Sequence, residues 1–345
     1  MGDKADTTDG HTSAEGRVAR SPRRWLFAVL FVIAGYAVGL VVVGIDEALG
    51  AVTRGSILPL TGAFLLQVAV VVLWGKVYGA SAAAVNGPVG TMKALTASMP
   101  AFTLSHTLPG GGWAGNGLAV QRLTAQGMSG PSAAAAVTLA ATISLATIAG
   151  LGSAGIVVAF IAGDLPSLAL VIALPALVVL VGLVATVIAV LRSPSAGDRI
   201  VGQLARLHHT LGEHVDGWRD SLRDVTEDPP TTRQLSRIVG WALGKWAADI
   251  ASLALVFFAL GTTPRISALL VGFGVTQLAT AIPVTPGGVG FVEGGMVGAF
   301  ATLGYPVALA TSVVVVYRVL ATWLPVLAGV PVLLRQPPAE ADPLA

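Results

Sequence analysis

The tripeptide Pro109-Gly110-Gly111 recurs 177 residues later as Pro286-Gly287-Gly288, and each copy interrupts an apolar stretch near its middle. The first stretch covers residues 92–126 and the second covers residues 266–303. Two further glycine pairs keep the same offset without a gap: Gly117 with Gly294, and Gly127 with Gly304. A single glycine match means little among 42 glycines, but five matched positions in one register indicate an internal repeat.

The composition indicates a polytopic membrane protein. Of the 345 residues, 54% are hydrophobic and 11% are charged, and the mean hydropathy is +0.80. A soluble domain carries about 25% charged residues, so a soluble enzyme, a secreted disulfide scaffold, a disordered chain and a coiled coil are excluded. The sequence has no cysteine, which removes disulfides and thiolate chemistry. The arginines flank apolar segments without interleaved aromatic residues, so we expect no nucleic-acid partner.

Apolar segments that can cross a hydrocarbon core of about 30 Å predict six full transmembrane helices. They cover residues 25–43, 57–74, 131–161, 165–191, 238–260 and 306–334. In the interrupted stretches an arm of roughly 15 residues gives about 22 Å of helix, which favours a re-entrant hairpin over two crossings. A break inside the membrane needs protein or a water-filled cavity to satisfy its backbone, so each break should face a cavity. The alternative is an ordinary Pro-Gly loop at the membrane surface.

Basic residues orient these segments. The arginines of the N-terminal tail, seven arginines in the loop 192–237, and Arg335 predict a cytoplasmic location for both termini, in a bacterial cytoplasmic membrane. Asp164 marks an outer loop, and Arg265 is the one basic residue that this scheme leaves outside. The two halves then run in opposite directions. The predicted fold class is therefore an all-α polytopic membrane protein with two re-entrant hairpins and an inverted-topology repeat, as in many secondary transporters.

The domain limits follow from the same features. Residues 198–225 carry apolar side chains at steps of three and four, which predicts an amphipathic helix on the cytoplasmic leaflet or docked on a partner. Its histidines are a poor metal candidate. The remaining limits are a disordered cytoplasmic tail at 1–24, a transmembrane domain at 25–335 with repeats at about 25–161 and 165–334, and a cytoplasmic tail at 336–345.

Charged residues inside apolar segments are functional candidates by default. Glu293 follows the second break by a few residues, and its carboxylate could bind a cationic headgroup or a proton, or pair with an arginine. The alternative is a structural Glu at the start of a helix, where the dipole favours it. Arg318 lies midway along the last span, too far from either end to reach water easily, and is the natural partner of Glu293 or of a lipid phosphate.

Four further polar residues are candidates for lining the same site. Lys245 and Asp249 are spaced i, i+4, which permits a mutual pair on one helix face. Asn116 stands 177 residues before Glu293, and His106 precedes the first break. His106 suits cavity lining and packing equally well. Arg122 is interpreted as an arginine at a cytoplasmic helix end.

Enzyme motifs are missing from the sequence. It contains no His-Glu-x-x-His zinc motif, no Gly-x-Ser-x-Gly elbow and no Walker A loop. We therefore expect a protein that is not an enzyme and that needs no metal or cofactor.

Residues 281–293 (AIPVTPGGVGFVE), followed by Tyr317-Arg318-Val319-Leu320 and Trp323-Leu324-Pro325, resemble the flippase-like family. This family comprises the membrane region of lysylphosphatidylglycerol synthases and its stand-alone bacterial relatives. The first half is similar over Leu108-Pro109-Gly110-Gly111-Gly112, Gln121-Arg122-Leu123 and Gly127-Met128-Ser129. The resemblance covers most of residues 25–335.

The resemblance implies a lipid translocator with two re-entrant regions. It assigns the substrate site to the matching residues Pro283, Pro286, Gly287, Gly288, Glu293 and Arg318. Two features depart from the family. Trp113, Ala114 and Asn116 stand where many members have charged residues, and residues 138–144 are neutral, which speaks against a lysyl-type headgroup. The sequence also ends at Ala345 without an aminoacyl-transfer domain, so we expect that it is not a complete synthase.

The expected function is translocation of a lipid or lipid-linked headgroup through a midplane cavity between the two breaks. The expected partners are membrane phospholipids or polyprenyl-linked lipids, and a lipid-modifying transferase. Three alternatives remain open: a transporter of a small soluble solute, a membrane glycosyl- or aminoacyl-transferase, and a non-transporting scaffold that accompanies a transferase.

Overall fold

The computed structural model describes residues 56–85, 87, 89–107, 111–164, 230–281 and 288–334, with a few positions between 175 and 185. Several predicted features lie outside these residues: the tails 1–24 and 336–345, the span 25–43, nearly all of the span 165–191, and the amphipathic helix 198–225. Five predicted site residues also lie outside them: Pro109, Gly110, Pro283, Pro286 and Gly287.

The described residues before position 165 form four helices: α1 (Ile57–Ala84), α2 (Thr91–Thr107), α3 (Gly111–Thr124) and α4 (Gly130–Ile161). The start of α4 is encoded locally, because the Ser129 hydroxyl accepts the Ser132 backbone N–H at 3.2 Å and Pro131 occupies the first turn. Gly127 has a φ of 97° in the turn between α3 and α4, a conformation that glycine adopts without strain.

The described residues after position 229 form a second set: α5 (Thr232–Ala259), α6 (Ile266–Ala281), α7 (Phe291–Thr302), α8 (Val307–Arg318) and α9 (Leu324–Leu334). Thr231 and Gln234 form a capping box at the start of α5. A π-helical turn, Val319–Trp323, joins α8 to α9 into one continuous helix. Pro325 follows this turn, and the wider turn accommodates a residue that lacks an N–H and crowds the preceding carbonyls.

Four helices are long and apolar enough to cross a membrane: α1, α4, α5 and the continuous helix Val307–Leu334. They coincide with four of the predicted spans, and the chain is a membrane protein with several apolar helices. The predicted limits were wrong at two ends. Helix α1 continues ten residues beyond position 74, since the ammonium of Lys76 lies 5.5 Å from the Trp241 ring centre. Helix α5 starts six residues before position 238, at its capping box.

The sequence offset of 177 residues also relates the helices. Shifted by 177, helices α1, α2, α3 and α4 would start at 234, 268, 288 and 307, and helices α5, α6, α7 and α8 start at 232, 266, 291 and 307. Gly304 has a φ of 87° in the turn after α7, matching Gly127 after α3. Each helix of the first set therefore has a counterpart of the same order in the second.

Helices α1 and α5 pack against each other in antiparallel orientation. The N–H of Ser56, at the start of α1, donates to the carbonyl of Ala259, at the end of α5, at 3.0 Å. Near the middle, Gln67 reaches Asp249, and further along Trp74 contacts Lys245. These two helices are counterparts across the 177-residue offset, so the two sets run in opposite directions where they meet.

The short helices form two hairpins, α2 with α3 and α6 with α7. With 12 to 17 residues, they are about 18 to 26 Å long. A Cβ at Gly115 would lie 2.5 Å from the Ala101 carbonyl, so the first hairpin closes on a glycine. Helix α2 packs on α9, and α6 packs on α4, so each hairpin contacts the last helix of the other set. The hydroxyl of Thr103 on α2 donates to the Val326 carbonyl on α9.

The two hairpins open at opposite ends of the bundle. The hairpin α6–α7 opens at the end that holds Ser56, Asp164 and Arg265, here called the Arg265 end. Arg265 immediately precedes α6, and its guanidinium donates to the carbonyl of Leu303, immediately after α7. The hairpin α2–α3 opens at the other end, where Val89 and Leu123 pack with Leu235 at the start of α5. This end is called the Arg122 end.

A polar cluster at the Arg265 end, here called the clasp, joins the two sets. The Arg265 guanidinium bonds Asp164 Oδ1 at 2.5 Å, and the Ser267 hydroxyl donates to Asp164 Oδ2. The Arg265 backbone N–H donates to the Tyr305 hydroxyl at 2.9 Å. The charge of Arg265, which the orientation scheme left on the outer side, is thus balanced by Asp164.

We predict that residues 263 and 302 lie on the same side of the membrane. The chain has no cysteine, so single exposed positions can be labelled in Thr263→Cys, Thr302→Cys and Lys93→Cys. A membrane-impermeant maleimide should label positions 263 and 302 from one side and position 93 from the other. Labelling of positions 263 and 302 from opposite sides would mean that α6 and α7 cross the membrane, which the paired ends of this hairpin contradict.

We predict that the clasp loses its contribution to stability in acid. The Ser267 hydroxyl and then the Arg265 guanidinium hold the pKa of Asp164 below its usual value. A lowered carboxyl pKa adds stability above the unfolded-state pKa, about 3.9 for Asp, and this stability is lost as pH falls through the folded-state pKa. Thermal unfolding in detergent should show a smaller loss of Tm below about pH 4 in Asp164→Asn than in the wild type. Equal acid losses would show that Asp164 does not contribute.

Candidate functional site

Glu293 and Arg318 form an ion pair in the interior of the bundle. Arg318 Nε donates to Glu293 Oε1 at 2.7 Å, and the side chains are 3% and 19% exposed, respectively. The second oxygen, Oε2, accepts the backbone N–H of Gly290 at 2.7 Å. The Glu293 carboxylate therefore links the last long helix to the start of α7.

The glycines of the motif shape the start of α7. Gly288 and Gly290 have φ values of 70° and 81°, in a region that side chains with a Cβ rarely adopt. This backbone turns the chain into α7, where Glu293 is the third residue and reaches back to the Gly290 N–H. The start of a helix carries partial positive charge, so the carboxylate is stabilised by the dipole as well as by Arg318.

Arg318 lies at mid-depth of its helix. It is twelve residues along from Val307, about 18 Å at 1.5 Å per residue. The π-helical turn begins at the next residue, Val319, and such turns occur frequently at functional sites. A charged group at this depth is costly unless it is paired, and Glu293 supplies the pair.

Asp249 forms a second buried polar contact, between α1, α5 and α8. Its Oδ1 accepts the side-chain N–H of Gln67 at 2.7 Å and the hydroxyl of Tyr317 at 2.8 Å. Tyr317 precedes Arg318 in the chain, so the two carboxylates are bound by adjacent residues of one helix. The i, i+4 spacing allowed Asp249 to pair with Lys245, but its hydrogen bonds come from other helices.

The ammonium of Lys245 lies against two indole rings. Its Nζ is 2.9 Å from the ring centre of Trp246 and 4.6 Å from that of Trp74. The indole N–H of Trp246 donates to Thr147 on α4 at 3.1 Å, which fixes that ring. Lys245 is 3% exposed and therefore belongs to the interior of the bundle.

His106 connects the first hairpin to this group. Its Nδ1 lies 2.9 Å from the Phe102 carbonyl, and its ring stacks on Phe102 with centres 4.0 Å apart. The edge of Phe102 packs on Trp74, with centres 5.5 Å apart. His106 is also within electrostatic range of Arg318 and Lys245. The end of α2 therefore meets the charged residues of the second set.

The other predicted residues lie around this centre. Gly111 starts α3, Gly288 is buried before α7, and Asn116 is half-buried in α3. Arg122 donates to the Leu333 carbonyl at 3.1 Å, near the last turn of α9. The structure thus brings together Glu293, Arg318, Lys245, Asp249 and His106, from three helices of the second set and one of the first. Within the described ranges, no group of three or more His, Asp or Glu residues could hold a metal ion.

Four residues of this group were missed by the sequence analysis: Gln67, Trp74, Trp246 and Tyr317. A glutamine within the apolar run of α1 was a usable signal, because a buried amide needs hydrogen-bond partners. The two tryptophans carried no such signal, because tryptophan is common in apolar helices. Their role depends on the antiparallel packing of α1 on α5.

Comparisons with known proteins agree with this geometry. The family model described as "Lysylphosphatidylglycerol synthase TM region" matches residues 14–329. A "UPF0104 membrane protein" of Methanothermobacter thermautotrophicus is 34% identical over 127 residues, which is 36% of this chain and 35% of that protein. A second match to a protein of the same description and organism is 34% identical over 83 residues, 24% of this chain and 25% of that protein. The chain therefore spans a third or less of these relatives' lengths. The family model covers most of the chain, and the chain belongs to this family.

We predict that the Glu293–Arg318 pair is coupled in stability. Removing one partner leaves a charge in the interior, and breaking a buried pair costs about 3–5 kcal/mol. Unfolding measurements in detergent should show large losses in Glu293→Gln and in Arg318→Gln. The double variant should lose less than the sum of the two, because it leaves no unpaired charge. Additive losses would show that the two side chains do not interact.

Proposed function

We propose that this member of the lysylphosphatidylglycerol synthase transmembrane-region family moves a lipid headgroup across the membrane, through a site between its two hairpins. The observation that carries the proposal is the Glu293–Arg318 pair. It lies in the interior, where the start of a short helix, a π-helical turn and the end of the other hairpin meet. Such a site offers both charges to a polar group at membrane depth.

We infer an inverted-topology repeat with re-entrant hairpins. Three observations support it: the two helix sets match in order, their counterparts α1 and α5 are antiparallel, and the hairpins open at opposite ends. If α1 and α5 cross the bilayer, the axis that relates the sets lies in the membrane plane. Hairpin arms of 12 to 17 residues are too short to cross a core of about 30 Å. Inverted repeats of this kind bind substrate near the midplane and alternate access by rocking.

The proposed orientation places the Arg122 end in the cytoplasm. Lys93 and Arg233 lie at that end, and the arginine-rich segment before α5 adjoins it, as the positive-inside rule requires. The clasp then faces outward. In this orientation both termini are cytoplasmic, and the membrane is the bacterial cytoplasmic membrane.

The proposed mechanism exchanges one anion for another. A headgroup phosphate would displace the Glu293 carboxylate from Arg318 and from the backbone N–H groups at the start of α7, since helix starts bind phosphate well. The released carboxylate would take a proton or the cationic part of a headgroup. Return of Glu293 to Arg318 would expel the phosphate on the other side. No covalent bond changes, so the protein acts as a transporter and not as an enzyme.

The proposed substrate class is a membrane phospholipid or a polyprenyl-linked lipid. The family description refers to a synthase whose product is a lipid, which favours a lipid over a soluble solute. A secondary transporter of a small soluble solute could use the same architecture. A membrane partner of a lipid-modifying transferase is the second alternative, and it predicts that substitutions of the ion pair have no effect on lipid movement.

We predict that the reconstituted protein scrambles lipids and that the ion pair is required. Proteoliposomes would carry leaflet-labelled phosphatidylglycerol or a polyprenyl-phosphate-linked sugar, with wild type beside Glu293→Gln and Arg318→Gln. Arg233→Gln is the matched control, because Arg233 is an exposed arginine at the start of α5. We expect movement of one lipid in wild type and in the control, and at least a tenfold slower rate, about 1.4 kcal/mol of lost stabilisation, in both site variants.

Two outcomes would contradict the proposal. Full movement in a folded Glu293→Gln variant would remove the carboxylate from the mechanism. No movement of either lipid by folded, correctly inserted wild type, together with uptake of a soluble solute, would replace lipid translocation by solute transport.

A further inference from the structure

Lys245 is a buried cation whose contacts in the described residues are aromatic. An ammonium has three N–H donors, and an indole face attracts the charge without accepting a conventional hydrogen bond. Trp74, one of the two rings, also has an indole N–H that is buried and has no hydrogen-bond partner in the structure. Two neighbouring donors at membrane depth therefore lack an oxygen acceptor within the described ranges. Buried donors normally have one.

The nearby carboxylates are already bound by other donors. Asp249 Oδ1 accepts from Gln67 and from Tyr317, and Glu293 accepts from Arg318 and from the Gly290 N–H. Asp249 still attracts Lys245 through space, and this lowers the cost of burying the ammonium. Neither acid supplies the missing acceptor in a hydrogen bond to Lys245.

The position of Lys245 connects it to the substrate site. Trp74 packs on Phe102, which stacks on His106 near the end of α2, and His106 is within electrostatic range of both Lys245 and Arg318. An anion held by Arg318 would therefore have Lys245 as the second cation in this part of the bundle. The two belong to different helices, α5 and α8.

We infer that Lys245 and the indole N–H of Trp74 form an anion site that selects headgroups with a net negative charge. The inference rests on the proposed function and names its substrate class. Phosphate oxygens would accept from the ammonium and from the indole, which satisfies both donors. The source of the phosphate is a lipid phosphodiester or free phosphate, and the two share this chemistry.

The same geometry disfavours zwitterionic headgroups. A pair of indole rings is a good site for a substrate ammonium, but here the ammonium of Lys245 occupies it. An ethanolamine group would have to approach a like charge in a medium of low polarity, which is unfavourable. Lys245 therefore acts as a specificity-determining residue, attracting the phosphate and excluding a second cation.

The test measures binding to the full-length protein in detergent, by tryptophan fluorescence. Short-chain phosphatidylglycerol, short-chain phosphatidylethanolamine and inorganic phosphate are titrated separately. The variants are Lys245→Met, which removes the charge, and Trp74→Phe, which removes the indole N–H and keeps a ring. Lys76→Met and Trp241→Phe are matched controls, because Lys76 also lies over a tryptophan whose indole N–H is buried and unbonded. Lys245→Arg keeps the charge if Lys245→Met fails to fold.

We expect wild type to bind phosphatidylglycerol more tightly than phosphatidylethanolamine. The affinity for phosphatidylglycerol should fall about 10- to 100-fold in Lys245→Met and about 2- to 10-fold in Trp74→Phe, as for the loss of a charged and of a neutral hydrogen bond. The two controls and Lys245→Arg should stay within about threefold of wild type.

Failure of this inference is distinguishable from failure of the proposed function. Binding of inorganic phosphate that depends on Lys245, without binding of either lipid, would support the anion site and overturn lipid translocation. Unchanged phosphatidylglycerol affinity and unchanged headgroup preference in folded Lys245→Met and Trp74→Phe would overturn the anion site, even if the protein scrambles lipids.

Discussion

Helices of 12 to 17 residues cannot cross a hydrocarbon core, and this limit governs the rest of the structure. A backbone that turns inside a membrane must be satisfied by protein or by water. Here each hairpin lies against the last helix of the other half, as in the contact of Thr103 with the Val326 carbonyl. Neither half can satisfy its hairpin alone, and the interior ends of the hairpins are held beside the charged residues.

The buried charges are consistent with a functional origin. A buried ion pair adds little stability compared with apolar residues of the same shape, because desolvation offsets the attraction. Arg318 with Glu293, and Asp249 with Gln67 and Tyr317, are instead bound by hydrogen bonds from different helices. Such contacts can be exchanged for a substrate at small net cost, whereas apolar packing cannot. The clasp at the Arg265 end joins the halves in a similar way, with Asp164 from one half and Arg265 from the other.

Much of this organisation could be predicted from the sequence, and the reasons are specific. The Pro-Gly-Gly repeat predicted the offset that the helix starts later followed, because a glycine at positive φ must recur where a turn recurs, as at Gly127 and Gly304. Glu293 and Arg318 could be paired because so few charges interrupt the apolar segments. The contacts of Asp249 and Lys245 could not be predicted, because spacing along α5 does not report what α1 and α8 contribute. Tyr317 and Trp74 became relevant only through helix packing.

The central claim is that a headgroup reaches the middle of the bundle, and headgroup photo-crosslinking tests it most directly. A phosphatidylglycerol analogue with a diazirine on its headgroup would be reconstituted with the wild-type protein, illuminated, and the labelled residues mapped by mass spectrometry. Lipids that merely surround the protein keep their headgroups at the membrane surface and cannot reach mid-depth. The account predicts labelling at His106 and Val289, beside the two breaks. Labelling confined to residues at the two ends of the bundle, such as Thr263 and Lys93, would contradict it.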